Sequence, residues 1–332
     1  MAGVSVRDFV SGEAGTDRGP GETRHGGGMS VIDSLVLKIS AVWMEHSDNK
    51  RDKGLTEPEG LTCFRDIPYA PGCGEEHLLD IYTPAAEGER LPVLISVHGG
   101  GYVYGDKERY RFYCMELALQ GYTVVNFNYR LVPARFPAGM EDLNSVMLFI
   151  RGHAGEYRMD ADRIFAVGDS AGGQILSLYA VFQTSPAYAA RFSFAAPEGL
   201  RFSAVGLHSG LYDCGQEIPD LSRRVRNART KGVADAADLM RIDRWLGPDF
   251  PPSFITRSVN DELTQDAPLL AALLDKNGVP YELCSYGEGK KEISHVFHLN
   301  IRLPEARECN ARQDVFFRKH MAGGSAAESP GT

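Results

Sequence analysis

Short apolar runs recur along the chain, alternating between the two-residue period of a strand and the helical period. Residues 62–68, 77–82, 92–97, 122–128, 163–167, 202–207, 253–258 and 280–286 read as strands. The middle ones, such as Val93-Leu94-Ile95-Ser96-Val97 and Val124-Val125-Asn126-Phe127, have the apolar character of strands buried on both faces. Between them lie helical patterns, notably over residues 140–150, 173–182 and 267–277. Strands alternating with helices imply crossover units and a mostly parallel eight-stranded sheet, its first two strands joined closely enough to be antiparallel. Nearer the N-terminus, Val31, Ile32, Leu35, Val36, Ile39, Val42 and Trp43 recur at three- and four-residue spacing, with Ser30 placed to cap a helix.

Two regions break this rhythm. The segment 212–250 is polar, rich in Arg and Asp, and has the character of an inserted cap. Residues 1–28 carry too little apolar surface to offset the entropy of ordering, and 322–332 form a Gly/Ala/Ser-rich tail. Both are expected to be disordered, leaving one α/β domain over residues 29–321. Met29, where the apolar pattern begins, is a candidate translation start.

Charge and cysteine usage narrow the function classes. A net charge of -9 provides no basic stripe to neutralise phosphates, which argues against nucleic acid and anionic membrane surfaces as partners. The apolar stretch after residue 30 is too short and too interrupted to span a bilayer, and the first 28 residues lack the apolar core of a secretory signal. Six scattered cysteines without CxxC or zinc spacing suit free thiols in a reducing cytoplasm. No phosphate loop, dinucleotide fingerprint or metal-spaced carboxylate–histidine cluster occurs, so neither cofactor nor metal is expected.

The chemistry concentrates at a few places. Gly168-Asp169-Ser170-Ala171-Gly172 lies between a strand pattern (Arg163-Ile164-Phe165-Ala166-Val167) and a helix pattern, the setting of a nucleophile elbow. Its glycines permit a turn sharp enough to expose a serine hydroxyl at a helix N-terminus. His98-Gly99-Gly100-Gly101-Tyr102 follows strand 92–97, and glycines there let backbone N–H groups approach an acyl oxygen unobstructed. The same tetrapeptide at His25-Gly26-Gly27-Gly28 has no strand before it and is expected to be chemically idle.

HGGGYVYGD, NYRLVPARFPAGMEDL at residues 128–143 and GDSAGGQ, in that order, resemble the hormone-sensitive-lipase-like branch of the α/β-hydrolases, a family of carboxylesterases. The resemblance runs from about residue 60 to 320. It implies an α/β-hydrolase fold with a small helical cap built from residues 30–50 and 212–250. It makes Ser170 the nucleophile and the amides of Gly100, Gly101 and Ala171 the oxyanion donors, with Gly99 as substitute should the loop turn differently. The base should follow the last strand, where His295 aligns with the family's Gly-His-x-Phe histidine; Ser294 stands in place of that glycine, and His298 is the competitor. The acid should follow the seventh strand, where Asp261 lies in the chain order Ser, Asp, His expected of the fold. Glu262 and Asp266 are its rivals, Asp266 being expected to cap the helix that begins at Ala267.

The implied activity is hydrolysis of short acyl, acetyl-type esters through an acyl-enzyme, with a small-molecule ester as partner and a homodimer left open. A peptidase or amidase on the same fold and a non-catalytic ligand-binding member are the alternatives.

Overall fold

The computed structural model describes residues 31–71, 74–86 and 88–321. The expectations for residues 1–28, Met29, Ser30 and 322–332 fall outside the described residues. Eight strands form one sheet: β1 (Leu61–Pro68), β2 (Leu78–Pro84), β3 (Leu91–Val97), β4 (Thr123–Phe127), β5 (Met159–Asp169), β6 (Phe202–His208), β7 (Ser253–Ser258) and β8 (Tyr281–Tyr286). Their order across the sheet is β1-β2-β4-β3-β5-β6-β7-β8. β2 runs antiparallel to both neighbours, and every other adjacent pair is parallel. Connections after β3 and β5 therefore leave the same edge of the sheet, where ligands of open α/β folds bind.

The period-two rule sorts the core. Val93, Ile95 and Val97 of β3 belong to one apolar layer, shared with Met140, Leu143 and Ile175 of two helices, α3 (Ala138–His153) and α4 (Ser170–Thr184). Leu94 points to the other layer, beneath α2 (Lys107–Leu119) and α9 (Pro304–Lys319). The latter two helices were not singled out in the sequence. Their buried positions are filled by Tyr110, Tyr113, Cys114, Cys309 and Phe316 among many charged residues, so the apolar stripe is weak.

Helix α1 spans Val31–Asp52, and α6 (Asp220–Thr230) and α7 (Ala236–Leu239) lie in the polar segment between β6 and β7; α1 and α6 touch. That segment's Val225, Leu239, Met240, Ile242, Leu246 and Phe250 join the layer shared by α3 and α4, so it packs onto the sheet domain. Helix α1 differs from its sequence pattern: Leu37 is buried, while Leu35, Ile39, Val42 and Trp43 of the apolar stripe stand exposed. Its polar C-terminal end holds it in place, through Asp48 to the Tyr104 hydroxyl and Glu45 to Arg109. Helix α8 (Asp266–Lys276) precedes β8.

One electrostatic cluster fixes the start of α2 against β2. Lys107 Nζ meets Asp66 and Glu108 at 2.8 Å and Asp80 at 2.9 Å, and Asp80 and Lys107 are both buried. Removing the cation leaves a buried carboxylate uncompensated, which typically costs 3–5 kcal/mol. Lys107→Met is therefore expected to lower unfolding stability by about 3 kcal/mol or more in urea titration. A loss below about 0.5 kcal/mol would show that the cluster does not stabilise the fold.

Candidate active site

Ser170 opens α4 directly after β5, with φ 50°. That is a left-handed backbone conformation, uncommon for a residue with a side chain. Its neighbours explain how it is held. A β-carbon at Gly168 would lie 2.7 Å from the Gly172 carbonyl oxygen, and one at Gly172 would overlap the carbonyl oxygens of Val97 and His98. The strand and helix backbones meet too closely for anything but hydrogen at either position. Ser170 emerges partly exposed. Among the described residues its hydroxyl makes no hydrogen bond; the ring of His295 is bonded to Asp261 through Nδ1.

The glycine loop after β3 ends in three residues of positive φ: Gly100 (108°), Gly101 (58°) and Tyr102 (63°). At Gly100 a β-carbon would collide with the Tyr104 carbonyl oxygen. The Gly99 amide already donates to the Tyr110 hydroxyl at 2.7 Å, and that hydroxyl donates to Asp169 at 2.8 Å. This leaves the Gly100 and Gly101 amides at the loop and the Ala171 amide in the first turn of α4, where N–H groups lack intrahelical partners. The loop is braced from beneath, the Tyr129 hydroxyl donating to the His98 carbonyl at 2.8 Å.

Asp261 and His295, separated by 34 residues, come together after β7 and β8. His295 Nδ1 lies 2.7 Å from Asp261 Oδ2, and Asp261 Oδ1 accepts from the Leu263 amide at 2.9 Å. The carboxylate is buried, its side chain 3% exposed, whereas the imidazole is 41% exposed. Val296, next to His295, is a β-branched residue at φ 50°.

The rivals lie elsewhere. His298 is buried and stacked on His208, ring centroids 4.1 Å apart, with Tyr113 edge-on at 5.3 Å. His208 ends β6 but is sealed between Thr256 and Gln313, at 2.7 and 2.6 Å. Glu262 is exposed. Asp266 does not cap α8 as expected, because the helix begins at that residue and its side chain turns back. Its carboxylate accepts the Tyr212 amide at 3.1 Å and is bonded by Gln216, tying the polar segment to α8.

Known proteins share parts of this sequence and its fold. A family profile described as BD-FAE matches residues 79–216. Esterase LipQ of Mycobacterium tuberculosis is 29% identical over 288 residues, spanning 80% of this chain but 66% of that protein, just under two thirds of its length. The acetyl esterase of Salmonella schwarzengrund is 24% identical over 283 residues, 78% of this chain and 80% of that protein. Esterase B from Lactobacillus rhamnosis, in a tributyrin phosphonate inhibited form, has the same fold at TM-score 0.82 and 24% identity, over 88% of this chain and 96% of that one. The chain has the α/β-hydrolase fold, and the relatives it resembles over most of its length are esterases.

The electrostatics of the site follow from where its carboxylates are placed. Desolvation opposes charge on Asp261, but the His295 ring and the Leu263 amide outweigh it and hold the acid below its ordinary range. Desolvation likewise opposes charge on His295, yet Asp261, with Asp169 and Glu262 behind it, holds the imidazole above its usual value. Burial pushes the Asp169 carboxyl up to about 7, against the opposing pull of the Tyr110 hydrogen bond and of His295. The Tyr110–Asp169 pair under the glycine loop was not anticipated. Asp169 was visible in the motif itself, but nothing in the local pattern around Tyr110 marked it.

Because the imidazole is neutral only above its raised pKa, its free nitrogen is available on the alkaline side and lost as pH falls through that point. The His295 ring-proton signal in NMR is expected to titrate above 6.5, and Asp261→Asn should bring the midpoint down. A midpoint at or below 6.5, or one that Asp261→Asn leaves in place, contradicts this pairing.

Proposed function

We propose that the chain is a serine carboxylesterase for short acyl esters, with Ser170 as nucleophile, His295 as base and Asp261 as orienting acid. The observation that carries this reading is the 2.7 Å hydrogen bond from His295 to a buried Asp261, on the same sheet edge as the strained, partly exposed Ser170. His295 Nε2 takes the Ser170 proton as Oγ attacks the ester carbonyl. The amides of Gly100, Gly101 and Ala171 hold the oxyanion, and the alcohol leaves with the proton from His295. Water then enters by the same route and the acyl group leaves as a carboxylic acid. Asp261 fixes the tautomer and stabilises the imidazolium in both halves. In this reading the serine–histidine hydrogen bond forms in the complex with substrate, as is common for catalytic contacts.

Helices α1 and α6 form the cap in this reading, supported by their mutual contact and by the bonds from α1 to Tyr104 and Arg109 on the loop side. A cytoplasmic location accords with the unpaired state of the five described cysteines. No described helix is long and apolar enough to cross a membrane.

Ser170→Ala should abolish ester hydrolysis with a thermal melt close to wild type, and an organophosphate should label Ser170 stoichiometrically. His295→Ala should lose on the order of 10⁴-fold in kcat, whereas His298→Ala should keep at least a tenth of it. Label on another serine, or the reverse ranking of the histidines, would displace the assignment. Among nitrophenyl esters, acetyl and butyryl should exceed chains beyond about ten carbons in kcat/KM, since α6, the cap helix after β6 in this reading, is short and mostly polar. Faster turnover of palmitoyl esters would reverse the substrate reading.

A further inference from the structure

Two cationic side chains are buried among the described residues, Lys107 and Arg229. Their surroundings are opposite. Lys107 meets three carboxylates. Arg229, in the last turn of α6 and 5% exposed, has no carboxylate within ion-pair distance among the described residues. Its guanidinium carbon instead lies 3.4 Å above the centroid of the Tyr102 ring, with the Tyr129 phenol also within its field. Burial raises both phenols above their ordinary pKa, so both are neutral at physiological pH. Stacking on an aromatic face recovers part of what a guanidinium loses on leaving water. It leaves the planar fork of N–H donors, the group best matched to a carboxylate, without an anion. The partly buried Arg51 and Arg130 do not share this state: Arg51 is held by Asp48 and Asp52, and Arg130 by Glu141 and Asp142.

The location gives the unpaired charge its meaning. Tyr102 immediately follows the Gly100–Gly101 pair, and its hydroxyl donates at 2.7 Å to Gln174, one helical turn beyond Ser170. The Tyr102 ring thus links the glycine loop to the nucleophile's own helix, and Arg229 is stacked against that ring. Tyr129 is bonded to the loop carbonyl of His98. Gln174 Nε2 is a second buried donor without an acceptor in the same neighbourhood. Among the described residues neither Arg229 nor this Gln174 nitrogen is bonded to a carboxylate.

We propose that Arg229 forms an anion-binding subsite of the esterase, so that the preferred ester carries a carboxylate on its acyl or its alcohol part. The assignment rests on the esterase reading above and adds the substrate class. It makes the substrates half-esters of short dicarboxylic acids or acyl esters of hydroxy acids, and Arg229 a specificity-determining residue.

The test compares matched pairs of esters. For the acyl arm the pair is nitrophenyl hemisuccinate and nitrophenyl butyrate. For the alcohol arm it is O-acetyl-lactate and its neutral methyl ester, with acid release followed by titration. The wild-type chain should favour the anionic member of one pair by at least tenfold in kcat/KM, and the favoured arm identifies which part of the ester carries the carboxylate. In Arg229→Met, which keeps much of the apolar stem, that ratio should fall to near one; Arg229→Lys should retain part of it. A neutral preference in both arms, or a ratio that Arg229→Met leaves unchanged, overturns the subsite while leaving the esterase reading intact. Should Arg229→Met fail to fold by circular dichroism, inhibition of butyrate hydrolysis by free succinate and free lactate against succinamide and lactamide decides in the wild-type chain. Stronger inhibition by either anion than by its amide supports the subsite, and equal inhibition in both pairs overturns it. Absence of turnover on all four esters removes the esterase reading and the subsite with it.

Discussion

The backbone crossing at Gly168 and Gly172 is the constraint on which the site depends. The first turn of α4 sits so close to the ends of β3 and β5 that a β-carbon at Gly172 would occupy the space of the Val97 and His98 carbonyl oxygens. This contact brings the helix that Ser170 opens and the glycine loop together, because His98 is the first residue of that loop. It also drives Ser170 to φ 50°, since the chain must reverse from strand to helix within one residue. Such strain persists only where the surroundings over-determine it. Here they do: β5 lies between β3 and β6 in the middle of the sheet, and α4 is buried along most of its length.

The same pattern extends along the sheet edge. Non-glycine residues with positive φ occur at Tyr102 after β3, Ser170 after β5, Ser209 and Asp213 after β6, and Val296 in the loop beyond β8. All of these belong to segments leaving the ends of parallel strands. A parallel sheet delivers its strand ends to one edge, and the loops that depart there carry both function and strain. The rigid sheet supplies the reference frame that keeps Asp261 and His295 in hydrogen-bond register although they lie on different loops.

Much of this was legible in the sequence, for identifiable reasons. Continuous apolar runs such as Val93-Leu94-Ile95 belong to strands buried on both faces, and the eight expected strands differ from the observed ones by no more than a few residues at their ends. The loop glycines had a visible reason as well, since close backbone approach admits no other residue. Helices α2 and α9 were obscured because tyrosine, cysteine and phenylalanine among charged residues fill their buried faces, and such mixtures carry little periodic signal. Asp266 was misjudged because a carboxylate at a helix start usually caps it. Only the fold reveals that Tyr212 and Gln216, more than 45 residues earlier, reach the carboxylate first.

Buried charge divides the molecule into finished and unfinished parts. At Lys107 every charge has its counterpart, and the cluster has the character of scaffold. At the sheet edge the balance is left open: Asp169 is pushed up to about 7, His295 is held above its ordinary value, and Arg229 faces neutral rings. A fold selected for stability alone would have little reason to bury Asp169 and Arg229 without a counter-charge bonded to them, since each opposes folding. Their concentration around one strained serine follows if the missing partners arrive with the substrate. The developing oxyanion would be met by the loop amides, and the migrating proton by the imidazole.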